Sequence, residues 1–239
     1  MMENDAPAQD MLDKVRKLLA KAASVAGTPE AEALNAKAFE LIAKYGIDEA
    51  QARQQSGQEP AQIERAEFQI AGQYVAQQRA LLNRLALALH CAPVRDRRDG
   101  QETMAVYGVP AHTARVRVLF ASLMPQMLAG AARVPIRGSS AAQTRQVRKS
   151  WMYGFYCEIS ARLTGAETRA AEISAPGTAL VLVDDAQRAD AAMRAEIGKV
   201  VKRRSQARYY ATHAEMGAAA AKRVDLGQTG LGSRRALGR

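Results

Sequence analysis

The residues able to do chemistry are few and scattered. There are three histidines, His90, His112 and His213, and two cysteines, Cys91 and Cys157. A zinc site needs three or four ligands at close, ordered spacing. His90 and Cys91 are adjacent with no second pair, and His112 and His213 each stand alone. No Cys-x-x-Cys pair and no His-Glu-x-x-His helix occurs, so neither a metal site nor a cofactor is expected. Cys157 with a histidine would supply nucleophile and base. It falls close to the apolar face of a predicted helix, where a thiol is normally inert. Asp184 and Asp185 follow an apolar run, a place where Mg²⁺-dependent nucleases keep a carboxylate. The same pair also suits the cap of the helix that follows, which accounts for them more simply. No phosphate-binding loop of the Walker type is present, and no Gly-x-Gly-x-x-Gly follows a strand.

Charge is the stronger signal. The formal net charge is +10, with 34 Lys and Arg against 24 Asp and Glu. From Lys202 onward, nine basic residues stand against two acidic ones. Two clusters draw the eye. The stretch RQVRKSWMYGFY carries Arg145, Arg148 and Lys149 among four aromatics. Aromatics beside cations can stack bases while the cations hold phosphates. YGFY faintly resembles an RNA-recognition-motif strand, but that reading requires a strand. Trp151, Phe155 and Ile159 sit at helical spacing and read as a core stripe, with the basic trio outside it. The second cluster holds Lys199, Lys202, Arg203, Arg204 and Arg208, followed by Tyr209 and Tyr210. On a helix, Lys199, Lys202 and Arg203 share a face that Gln206 then interrupts. This is a charge patch suited to phosphate contact, not to sequence readout. The alternative for both clusters is a solvated helix face that keeps the protein soluble.

Several elements must position these residues. Leu12, Val15, Leu18, Leu19 and Ala22 trace one apolar helix face, which Gly27 is expected to end. Thr28 and Pro29 look like the N-cap and first residue of a second helix. That helix carries Ala31, Leu34, Ala38, Leu41 and Tyr45, and Gly46 is expected to stop it. The two should pack as an antiparallel hairpin, too small to be stable alone. After a polar stretch over 49–64, RAEFQIA alternates as a short strand. Tyr74 to His90 reads as a buried helix. Val94 to Val109 reads as a β-hairpin turning at Asp99-Gly100. Helices fit Pro110 to Ala132, with Pro125 inside, and Arg145 to Thr164. Gly165 to Gly177 reads as a polar connection, ALVLV at 179–183 as a buried strand, and two further helices follow.

The first pair of helices resembles a known family. The stretches Lys14 to Ala22, Glu30 to Ala38 and Leu41 to Ile47 resemble the start, core and end of the bacterial and phage family called DUF2786, a domain of unknown function. RKSWMYGFYCEISARL and GAAAAKRVDLG are similar to the domain that often follows it in phage and prophage proteins. The resemblance implies a mobile-element setting and a bacterial cytoplasm, and it carries no catalytic residues.

The expected fold class is helix-rich α+β: a helical hairpin at 9–48, a linker at 49–64, an α+β domain with a small, mostly antiparallel sheet at 65–224, and a basic tail at 225–239. The acidic, polar N-terminus argues against a secretory signal. No apolar run approaches a membrane span. The function expected first is a nucleic-acid-binding accessory protein without enzymatic activity. It would use Arg145, Arg148, Lys149, Lys199, Lys202, Arg203, Arg204 and Arg208 for phosphate contacts. A regulatory protein recruiting a partner through residues 11–48 is the second reading. An uncharacterised nuclease or hydrolase centred on Asp184 or Asp185 is the third.

Overall fold

The computed structural model describes residues 5–24, 28–56, 60–98, 101–136, 140–198, 200 and 207–222. Two helices open the chain, α1 (Asp5–Ser24) and α2 (Pro29–Ser56). Leu12, Val15, Leu19 and Ala22 bury the α1 face that their spacing predicts. On α2 the buried stripe runs through Asn35, Ala38, Phe39, Ile42, Ala43, Ile47 and Ala50. It is rotated from the expected one, so Leu34, Leu41 and Tyr45 are only half-buried. Gly46 does not stop α2. A glycine inside a helix costs about 1 kcal/mol and does not by itself end it. Residues 49–56, expected as linker, continue the helix. Gly27 lies outside the described residues.

Three strands follow the expected alternation: β1 (Glu64–Phe68), β2 (Ala92–Arg98) and β3 (Gln101–Gly108). They form one antiparallel sheet in the order β1-β3-β2. Ala66 pairs with Val106 and Phe68 with Met104, while Val94 pairs with Ala105. Asp99 and Gly100, the expected turn, lie outside the described residues. Side chains alternate across the sheet. Ala66, Phe68, Met104 and Val106 join the main helical core, and Ala92, Val94, Ala105 and Tyr107 pack with Ala189 and Met193. Both faces of the sheet are thus covered.

The remaining helices are α3 (Val75–Ala88), α4 (Pro110–Ala132), α5 (Ala141–Glu172), α6 (Thr178–Ile197) and α7 (Ala211–Lys222). Ser140 caps α5: its hydroxyl accepts from Gln143 N, and the Gln143 side chain accepts from Ser140 N. Val147, Trp151, Met152, Phe155, Ile159 and Leu163 bury one side of α5 in the core shared with Leu12, Val15, Leu19 and Ile42. Trp151 and Phe155 are core residues as expected, with rings stacked at 5.4 Å. Tyr153 to Tyr156 therefore sit inside a helix, and the RNA-recognition-strand reading of YGFY falls. Glycines let α7 lie directly on α5. A Cβ at Gly154 would strike the Ala214 carbonyl, and one at Gly217 the Trp151 carbonyl.

Two expectations are corrected by helices that run longer. Residues 165–172 belong to α5, not to a connection. Residues 179–183 open α6 and form no strand. Five consecutive apolar residues carry no period of their own. The buried set Thr178, Leu182, Asp185, Ala189 and Met193 shows that the stripe is helical, and Leu180 and Val183 point to solvent. Asp184 and Asp185 lie inside α6 and cap nothing.

Candidate functional site

The helix α3 ends in an unusual way. His90 has φ 60, the left-handed region. Cys91 N bonds back to Ala86 O at 2.9 Å, which closes the end of the helix around His90. Glycine is the usual residue at such a position, and a side chain there costs on the order of 1 kcal/mol. What the histidine gains is a partner. Its Nε2 lies 3.3 Å from Glu167 Oε2, on α5.

Glu167 is buried, and its other oxygen accepts from Arg115 Nη1 at 2.7 Å. Arg115, on α4, is fully buried. Its Nη1 also reaches the Ile42 carbonyl of α2 at 3.1 Å. Gly46 leaves the room: a Cβ there would collide with the guanidinium. Arg115 Nη2 lies 2.9 Å from His112 Nδ1. A guanidinium can only donate, so Nδ1 accepts and the ring proton sits on Nε2. That Nε2 donates to Asp185 Oδ2 at 3.1 Å. Arg53, near the end of α2, grips the same carboxylate twice, Nη1 to Oδ1 at 3.0 Å and Nη2 to Oδ2 at 2.7 Å. Arg53 also pairs with Glu49, and Arg188 lies 3.4 Å from Asp185 Oδ1.

The relay thus joins α2, the end of α3, α4, α5 and α6. Arg53, Arg115 and Arg188 balance Glu49, Glu167 and Asp185, as buried charge requires. Burial pushes His112 down to about 4, and Arg115 adds to this against the pull of Asp185, so the ring is neutral at pH 7. Burial alone would raise Asp185. Hydrogen bonds from His112 and Arg53 outweigh it and hold the carboxyl well below its usual range. An aspartate committed to two arginines and a histidine is a poor seat for a cation. Asp184 is exposed and lies 4.0 Å from Arg188. Burial also pushes the Cys91 thiol up to about 12, so it is inert at neutral pH. Among the described residues no group of three or more His, Cys, Asp or Glu is placed to hold a metal ion.

One end of the relay opens. His90 and Glu167 line a pocket of about 600 Å³ between α3, α5 and α6. Leu87, Ala88, Ala171, Leu182 and Val183 form apolar walls, and Ser160, Thr164 and Arg84 add polar groups.

The basic clusters fall elsewhere, and part of them meets. Gln146 Nε2 donates to the Arg208 carbonyl, and Tyr210 N donates to Ser150 Oγ at 2.9 Å. Tyr209 stacks on Tyr153 at 4.1 Å. The segment 207–210 therefore lies along the turns of α5 that carry exposed Arg145 and half-buried Lys149. Arg148 turns the other way and donates to the Ala132 carbonyl at the end of α4, at 3.4 Å. Lys199, Lys202, Arg203 and Arg204 lie outside the described residues. His213 stays apart on α7, beside Tyr210.

Sequence reasoning noted His90, His112 and Asp185 but missed Arg53, Arg115 and Glu167. One signal was there: Arg115 falls among Val116, Leu119 and Leu123, and Glu167 follows Ile159 and Leu163. A charge on an apolar stripe has to find a buried partner.

A family model described as a protein of unknown function (DUF2786) matches residues 10–49. The match spans most of α1 and the first three-quarters of α2, including Ile42 and Gly46 but not Arg53. No curated protein and no solved structure matches the chain. Among the described residues, no helix is long and apolar enough to cross a membrane.

Proposed function

We propose that this protein binds nucleic acid through its phosphates, as a non-enzymatic accessory protein of a phage or prophage. One observation carries the reading. The segment 207–210 is fastened to α5 by Gln146 and Ser150, so Arg208 joins Arg145 and Lys149 from about 60 residues away. Sequence neighbours alone would leave two weak clusters, whereas the joined segment brings a third cation to the same turns of α5, beside the stacked pair Tyr153 and Tyr209. The net charge of +10 favours the same partner. The phage setting is carried by the resemblance alone.

The test is a salt titration of binding to labelled single- and double-stranded DNA and RNA. Affinity should fall linearly in log–log form with salt, with little sequence preference. Each lost phosphate contact should reduce the slope by about 0.7–0.9. The double variant Arg145→Glu with Lys149→Glu and the single variant Arg208→Glu should each weaken binding at least tenfold at low salt. No binding at low salt, or unaltered affinity in both variants, sinks the proposal.

Partner recruitment by the hairpin is the weaker reading. Leu12, Val15, Leu19 and Ile42 are already buried against the rest of the chain. Among the described residues of the hairpin, the large apolar side chains with surface left for a partner, such as Leu34 and Leu41, are half-buried.

A further inference from the structure

A histidine ends α3 in the left-handed region, at a cost in backbone strain. Glycine would close that turn without strain. Instead an imidazole stands there, held through Nε2 by a glutamate that is itself held by Arg115. This leaves Nδ1 as the ring's second hydrogen-bonding edge, on a residue that lines the pocket. The pocket has the size of a small-molecule site, which spans roughly 300–1,000 Å³. Leu87 and Val183, which line it, are 60% and 51% exposed.

The chemistry of the lining narrows the ligand. Apolar walls from α3 and α6 suit a flat body. His90, Glu167 and the hydroxyls of Ser160 and Thr164 suit a hydrogen-bonding edge. Glu167 is neutralised by Arg115, and Glu172 is exposed at the margin, so Arg84 is the cation available to an anionic group. Arg84 also lies 5.4 Å over the Tyr156 ring, Tyr156 meets Tyr153 at 5.6 Å, and Tyr153 stacks on Tyr209. A continuous cation–aromatic path thus joins the pocket to the face on α5. We propose that this pocket binds one nucleoside monophosphate unit, its base between α3 and α6 with its edge toward His90 and its phosphate toward Arg84. The unit is either a free mononucleotide or one unstacked residue of a single strand; the strand source rests on the function proposed above.

The full chain should be titrated with AMP, CMP, GMP and UMP by calorimetry, and with fluorescent single-stranded oligonucleotides by anisotropy. Two variants accompany it. Ala179→Trp fills the pocket from an exposed position in the first turn of α6. His90→Gly removes the imidazole and suits the positive φ. A free-nucleotide site gives saturable binding of at least one mononucleotide, weakened tenfold or more by either variant. A strand site gives oligonucleotide binding weakened by both variants, with the salt slope reduced by no more than the single phosphate contact at Arg84, about 0.7. In both cases His90→Gly should melt at or above the wild-type temperature. A fall in melting temperature together with binding would assign His90 to the fold and overturn its role at the ligand. No mononucleotide binding up to millimolar concentration, with strand affinity unchanged in both variants, overturns the pocket and leaves the α5 face standing. No strand binding at low salt removes the face, and the mononucleotide titration then decides the pocket by itself.

Discussion

His112 is where a single proton matters most. The folded ring titrates at about 4, against an ordinary value of 6.5. Between those two values the unfolded chain takes a proton that the folded chain refuses. Stability is therefore intact above pH 6.5 and is lost as pH falls toward 4, by up to about 1.4 kcal/mol per pH unit. Asp185, held below its usual range, adds loss in the same direction at lower pH. Melting temperatures from pH 7.5 to 4.5 should fall through this window. His112→Asn should start lower and show a flatter profile; equal slopes in the two proteins would assign the acid sensitivity to other groups. Little of this was legible in the sequence. The histidines were visible, but a search for ligand spacing tests only neighbours along the chain. Arg53 and Asp185 are 132 residues apart, and Arg115 and Glu167 are 52 apart. Long-range pairs between charges leave no local pattern beyond their place on an apolar face.

At the level of elements, local pattern did well where it had a period to read. The alternation in β1 and β3, the hairpin between β2 and β3, and the start of α4 at Pro110 all follow from it. It failed where the run was too short or the punctuation ambiguous. ALVLV is apolar throughout, and only Asp185, Ala189 and Met193 beyond it reveal the helical stripe. Gly46 looked like a stop because the guanidinium it accommodates comes from α4. Gly154 and Gly217 are the converse case, glycines within helices that mark a close crossing. Gly217→Ala would press a methyl group against the Trp151 carbonyl and force α7 away from α5. Overpacking of this kind costs about 1–3 kcal/mol. Chemical denaturation should show that loss, and hydrogen exchange should rise in 211–222 before it rises elsewhere. Unchanged exchange in α7 would mean that the crossing is looser than described.

For the molecule as a whole, the first two helices are structural members and not an appendage. Their apolar faces belong to the same core as Leu119, Met127, Met152 and Ile159. Ile47 and Ala50 form a second contact with Leu182. Removing residues 1–56 should therefore leave the remainder poorly packed. Near-UV circular dichroism should be lost and a hydrophobic dye should bind, even where far-UV helicity persists. A sharp, cooperative melt in the shortened chain would show that 57–239 folds by itself. The hairpin itself was the most legible part of the sequence, because all its signals are local. Its need for a further surface was legible too, from the small size of its two faces; which surface was not, since Arg53 and Asp185 meet only in the folded chain.

The passage of Arg115 beneath Gly46 has a consequence for where the hairpin ends as a unit. The match to DUF2786 ends at residue 49, yet α2 continues to Ser56 and delivers Arg53 to Asp185. A Cβ at position 46 would press on the guanidinium that serves both Glu167 and His112. The second helix of the hairpin is thus fitted to its host at two places, a gap at 46 that admits Arg115 and a cation at 53 that holds Asp185.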